Sequence, residues 1–306
     1  MAAKILWLSD STATQHGTSD PVEQDIIFSN MLGFAKKLAR PDTEIDIAFL
    51  EHNIGSDYVP TMRYPRTFMA VEMVERIMQA EADGYDAAFA GMCYGEFFLQ
   101  DARQAVRMPV VGPAESAMIV AQSLGKKFAV LTTAVSFEHV MEENIRFHRW
   151  EGAAISHRPV RSLEFSSDGP EGVGRVLVQM MLDAYAGRPE RMIEQFDQAA
   201  QELVRDGADV VICGCNPLGA ALSQVGYNEV SGTGVPVVTA LPAQIKMAEM
   251  LIDLKRGVGW SKTEAVVGPY LSTPPEILDD LAARGIGMPQ VRKNASKSAK
   301  VRLHAA

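Results

Sequence analysis

Cys93 and Cys215 are the residues of this chain whose type and placement could do chemistry. Cys93 closes the stretch "DGYDAAFAGMC" that begins at Asp83, and Cys215 closes "DGADVVICGC" that begins at Asp206. Each copy has Asp-Gly, one residue, Asp, a short apolar run, and a Gly just ahead of the Cys. Downstream, the first reaches "MPVVGPAES" from Met108 and the second "VPVVTALPA" from Val235. A buried cysteine often serves as a small hydrophobe, but filler has no reason to recur at matching points of two units.

Paired thiols facing one another across a cleft suit the inversion of a carbon acid. One face must lose a proton while the other gains one, and two groups of similar pKa can do this and then exchange roles. The thiolate is the active form, and its free pKa of about 8.5 falls near a helix N-terminus. Asn216-Pro217 reads as an N-cap followed by Pro at the first helical position. The exposed N–H groups there would favour a thiolate and the enolate left after proton removal. Near Cys93, Gly95 permits a tight turn while Glu96 opposes a thiolate, so Cys215 is expected to ionise more readily. Cys213 lies inside a strand and reads as core. "CGC" without a nearby His or Cys cluster does not make a metal site.

Strands must bring these residues to an edge. Runs at Lys4–Ser9, Glu44–Leu50, Asp86–Met92, Pro109–Gly112, Lys127–Thr133, Asp209–Gly214 and Pro236–Ala240 are rich in Val, Ile and Phe and lack polar alternation. Strands covered on both faces have this pattern. Helices are expected between them. The clearest is Arg188–Arg205, where Met192, Ile193, Phe196, Ala199, Ala200 and Leu203 form one stripe ending at Gly207; Pro65–Ala82 and Ser136–Trp150 read likewise. Steady alternation of strand and helix predicts an α/β fold of parallel sheets with right-handed crossovers. The duplication predicts two pseudo-symmetric lobes with the active site in the cleft between them, because ligands sit outside the carboxyl ends of parallel strands. Crossings near Gly112–Glu115 and Pro217–Gly219 put residues 1–115 plus 217–290 in one lobe and 116–216 in the other. Gly-rich "SDGPEGVGRV" at Ser167–Val176 reads as a loop, not a dinucleotide fingerprint.

With 306 residues, 47% of them hydrophobic and 22% charged, the chain has the make-up of a globular protein with substantial cores. A net charge of −9 argues against nucleic acid and anionic membrane as partners. The basic run Arg292–Arg302, within the 291–306 tail, reads as solvated. No apolar run reaches the roughly 18–20 residues that span a bilayer, and no signal-peptide pattern opens the chain. Three cysteines cannot build a disulfide framework, so the cytoplasm is the expected location.

Three ordered segments carry a family resemblance: "CYGEFFLQDARQAVRMPVVGPAESA" from Cys93, "FAVLTTAVSF" from Phe128 and "DVVICGCNPLG" from Asp209. Over about Lys4 to Leu254 the chain resembles the aspartate/glutamate/hydantoin racemase superfamily, and is most similar to its hydantoin and allantoin racemase branch. The resemblance implies two α/β lobes, no cofactor, Cys93 and Cys215 as the acid/base pair, and a small-molecule substrate. It also implies that Tyr94, Gly95, Thr132, Thr133 and Asn216 line the substrate site; strand-end turn chemistry is the other reading of Thr132 and Thr133. Where hydantoin racemases carry Asn-Pro-Asn-Thr, this chain has Ser9-Asp10-Ser11-Thr12, and Glu96-Phe97 replaces an Asp-Pro pair. Ser9, Asp10 and Ser11 are therefore substrate-binding candidates, with Asp10 pointing to a cationic or hydrogen-bond-donating substrate. A homo-oligomeric, cofactor-independent racemase or epimerase is the expectation. A lyase, decarboxylase or cis-trans isomerase using one or both thiols is the alternative within the superfamily, and a non-catalytic small-ligand binding protein the alternative outside it.

Overall fold

The computed structural model describes residues 2–12, 21–51, 61–91, 95–163 and 170–287. All seven apolar runs are strands. β1 (Ala3–Thr12), β2 (Thr43–Leu50), β3 (Ala87–Ala90) and β4 (Val110–Val111) form one parallel sheet in the order β2-β1-β3-β4. β5 (Phe128–Thr132), β6 (Val160–Ser162), β7 (Val210–Cys213), β8 (Glu229–Val230) and β9 (Val235–Thr239) form the second, in the order β6-β5-β7-β9-β8. Its pairs are parallel except β8 with β9. β6 and β8, of three and two residues, were not read from the sequence, because neither Val160–Ser162 nor Glu229–Val230 carries an apolar run.

The helices are α1 (Pro21–Leu38), α2 (Arg63–Ala82), α3 (Leu99–Ala105), α4 (Pro113–Leu124) and α5 (Val135–Phe147), followed by α6 (Pro170–Tyr185), α7 (Glu190–Arg205), α8 (Asn216–Gln224), α9 (Ala240–Val258) and α10 (Pro275–Ala283). α7 buries Met192, Phe196, Ala200 and Leu203, the stripe read from sequence. α6 corrects the sequence reading, since from Pro170 the supposed Gly-rich loop is helix. Glycine disfavours helix by about 1 kcal/mol per residue, but burial of Met180, Met181 and Ala184 on one face outweighs that. No helix among the described residues is long and apolar enough to cross a membrane.

The Asp-Gly-x-Asp of each repeat has a structural job. Gly84 and Gly207 take φ of +83° and +97°, the left-handed geometry that ends a helix. The next amide, of Tyr85 or Ala208, then donates back to Ala80 or Leu203 at 3.0 Å in both copies. The second aspartate ties the neighbouring strand: Asp86 accepts from the Lys4 amide at 2.8 Å, and Asp209 from the Lys127 amide at 2.8 Å.

Leaving aside β8, the two sheets have the same permutation of strands, with β1, β2, β3 and β4 matched by β5, β6, β7 and β9. After the last strand of each half, the chain crosses to the other. α4 follows β4 but packs on β5, β7 and β9; α9 follows β9 but packs on β1, β3 and β4; and the two helices pack on each other. The first change of side follows β4, at Gly112–Pro113. The second is not at the expected Pro217–Gly219: β9, expected within the 217–290 block of the first lobe, pairs with β7 in the second sheet. The return therefore occurs at Thr239–Ala240, after the second "PVV" segment, because a strand joins the sheet whose ladder it completes and only its following helix is exchanged. The basic 291–306 tail lies outside the described residues.

Asp209→Ala removes the acceptor for the Lys126 and Lys127 amides. It is expected to lower unfolding free energy by about 1–2 kcal/mol, read as a lower urea midpoint with an unchanged slope.

Candidate active site

The carboxyl ends of both sheets meet at one place. On the first sheet, β1 runs past Leu8 into Ser9 and Asp10, both buried, while β3 ends at Ala90 and Gly91. On the second, β5 ends in buried Thr132 and Thr133, and β7 ends at Cys213 and passes through Gly214 to Cys215. The Gly91 amide donates to the Leu8 carbonyl at 3.1 Å and the Gly214 amide to the Leu131 carbonyl at 2.8 Å. Gly91 and Gly214 are therefore structural equivalents, and the two cysteines are not in identical register: Cys215 follows its glycine by one residue and Cys93 by two.

Two buried amides join the edges. Asn216 Nδ2 donates to the Gly91 carbonyl at 3.3 Å and to Gln244 Oε1 at 3.0 Å, and Gln244 Nε2 donates to the Ala90 carbonyl at 3.2 Å. Asn216, Gln244, Ala90 and Gly91 are all inaccessible to water. These bonds fix the end of β3 against the start of α8 and the first turns of α9. They also take up the Asn216 NH2 group that the sequence assigned to substrate.

Cys215 is the N-cap of α8, with φ −140° and ψ 120°, and its carbonyl accepts the first helical bond from the Gly219 amide at 2.8 Å. The expected capping position thus moves from Asn216 to Cys215, and Pro217 stays within the first turn, where its missing N–H costs nothing. The Cys215 side chain sits beside the amides of a helix start, where negative charge is favoured. It is 6% exposed, and Cys213 is fully buried. Burial pushes the Cys213 thiol far up, and its Sγ lies 3.5 Å from the Cys215 carbonyl, so Cys213 is core, as read from sequence. Among the described residues no His, Cys, Asp or Glu cluster could hold a metal ion.

Glu96 is held at two points. Its Oε2 pairs with His148 Nε2 at 2.5 Å and its Oε1 accepts the Glu115 amide at 3.0 Å, in the first turn of α4. The carboxylate is thereby held by a histidine of the other lobe and a helix N-terminus. Gly112 must be glycine for this, because a Cβ there would collide with the Glu96 carboxylate and with Leu99.

Of the sequence candidates, Ser9 and Asp10 lie towards the carboxyl end of β1, Gly95 lies beside Gly91, Thr132 and Thr133 lie at the end of β5, and Cys215 and Asn216 lie at the start of α8. Ser11 is placed on β1 by its backbone alone, and Cys93 and Tyr94 lie outside the described residues. Thr132 Oγ1 points to the Gly214 carbonyl at 3.4 Å, which favours the strand-end reading for that hydroxyl. Gln244 and the Glu96–His148 pair were missed. The available signal for Gln244 was one amide on the otherwise apolar face of Leu241, Ile245 and Ala248.

Iodoacetamide on the native protein is expected to alkylate Cys215 and leave Cys213 untouched, as peptide mass spectrometry would read. His148→Ala removes one of the two partners of the buried Glu96 and is expected to cost about 1–3 kcal/mol, measured by chemical denaturation. His148→Ala combined with Glu96→Gln should recover part of that loss.

A curated hydantoin racemase of Pseudomonas sp. (strain NS671) is 27% identical over 232 residues, 75% of this chain and 82% of that protein. A second, from Rhizobium meliloti, is 28% identical over 198 residues, 65% of this chain and 71% of that protein. Among solved structures, an allantoin racemase from Pseudomonas fluorescens superposes with a TM-score of 0.66 at 23% identity, covering 89% of this chain and 97% of that one, which establishes the shared fold. The profile of the Asp/Glu/Hydantoin racemase family matches residues 35–248, and the chain belongs to that family.

Proposed function

We propose that this protein racemises a carbon acid flanked by a carbonyl, in a hydantoin-like ring, with Cys93 and Cys215 exchanging protons on opposite faces and no cofactor. The observation that most supports the reading is the bond from Asn216 to the Gly91 carbonyl. It ties the strand end two residues before Cys93 to the helix that starts at Cys215. The names of the relatives, hydantoin and allantoin racemases, support the same substrate class.

In this mechanism one thiolate removes the proton on the stereogenic carbon. The electron pair moves onto the adjacent carbonyl oxygen as an enolate, and the opposite thiol returns a proton to the other face. The charges of the two sulfurs are then reversed, ready for the opposite enantiomer. In this reading the amides at the start of α8 stabilise anionic charge at the Cys215 side, and Thr133 and the Gly95 amide bond the ring carbonyls. Asp10, at the end of β1, suits a ring N–H as donor. Self-association belongs to the same reading and is supported by the exposed stripe of Tyr64, Phe68 and Val71 on α2.

A single enantiomer of 5-benzylhydantoin in D₂O, followed by chiral chromatography and mass, tests the assignment. Cys93→Ser and Cys215→Ser should each lose inversion by about 10²-fold or more, while one-sided deuterium exchange survives in each. Racemisation by either variant at the wild-type rate overturns the thiol pair. Deuterium uptake without inversion by the wild type favours the one-thiol lyase or decarboxylase chemistry instead.

A further inference from the structure

A cavity of about 450 Å³ lies between α4, α9 and the chain that follows α9. That volume is within the usual range of small-molecule sites, roughly 300–1,000 Å³. Its floor is apolar, from Met108, Ile119, Met247 and Leu251, and Trp260, 68% exposed, stands at its rim. The closing wall, Trp260 to Tyr270, follows the end of the family match at residue 248.

The wall is fastened in place. Lys262 Nζ donates to the Arg103 and Gln104 carbonyls at 2.8 and 2.9 Å, and the Tyr270 ring lies 5.9 Å from the Arg103 guanidinium carbon. Arg103 is in turn held by the Val110 carbonyl at 3.1 and 3.0 Å and by a two-pronged bond to Glu115. With Arg103 and Lys262 engaged in the wall, two other cations line the cavity. Lys255 donates to the Arg107 carbonyl at 3.2 Å, and Arg107 is largely exposed. Four cations, Arg103, Arg107, Lys255 and Lys262, thus face one carboxylate, Glu115, in the lining of a chain whose net charge is −9. Glu264, 3.8 Å from Arg107 and 3.6 Å from Lys262, is outside the lining.

We propose that this pocket binds an organic anion with a flat apolar body, an aryl carboxylate, at a site separate from the reacting edges. The apolar floor and Trp260 take the body, and Arg107 and Lys255 take the charge. The chain's own tail, Arg292–Arg302, has the wrong sign to be the occupant.

Calorimetric titration of the full-length protein with 2-naphthoate tests this. Saturable binding of one molecule per chain is expected, with a loss of about tenfold or more in Lys255→Glu, in Leu251→Trp, which fills the cavity, and for the neutral 2-naphthamide. Protein whose Cys215 has been alkylated should bind as the untreated protein does. Circular dichroism establishes that the variants fold. Absence of saturable binding, equal affinity for the amide, unchanged affinity in both folded variants, or loss of binding on alkylation overturns the proposal.

Discussion

The hydrogen bonds from Asn216 and Gln244 to the carbonyls of Ala90 and Gly91 are the constraint on which the geometry of the facing edges depends. All four groups are out of reach of water, so none can exchange its protein partner for solvent. A buried polar group that loses its partner costs about 1–3 kcal/mol, more than the net worth of a typical hydrogen bond. The two edges are therefore held at one separation by a penalty for moving. α8 and α9 both begin at this junction, so the thiol at the head of α8 is positioned by the same bonds.

The exchange of α4 and α9 between the halves makes the rest follow. Each sheet depends on the other half for one of its covering helices, so neither core is complete alone. A pair of lobes joined by a thin linker would be free to hinge, whereas these share packed helices through the middle. Polar contacts fasten the seam further out. Arg63 and Arg66 of α2 reach Glu143 of α5 at 2.5 and 3.1 Å. Burial pushes the Glu143 carboxyl up, but the two guanidiniums outweigh it and hold the group below its ordinary range. Glu96 and His148 repeat the arrangement in a more buried setting.

Duplication supplies the two edges, and departures from it set the two edges apart. The helix stop at Gly84 and Gly207 and the strand tie at Asp86 and Asp209 are the same in both halves because they solve the same folding problem twice. The residues after the strands differ: Gly91 takes φ of +94°, whereas Gly214 is in no such conformation, and a Cβ on it would come within 2.9 Å of a Val130 methyl. Among the described residues, the Asn–Gln clamp comes from the second half.

Much of the fold was legible because its determinants are local. Unbroken Val and Ile runs marked seven strands, the period of Met192, Phe196, Ala200 and Leu203 marked α7, and a cysteine directly after β7 had to lie at a carboxyl edge. Gln244 and the Glu96–His148 pair were illegible because an amide or a carboxylate looks the same in sequence whether it meets water or a partner far along the chain. By itself, then, the sequence determined the seven apolar strands, the α7 stripe and that Cys215 sits where a strand gives way to a helix, since these depend on neighbouring residues alone. Only the tertiary structure decided which sheet β9 completes, which helices change sides, and which buried amides lock the edges together, because those outcomes turn on hydrogen bonds and packing between residues distant in the chain.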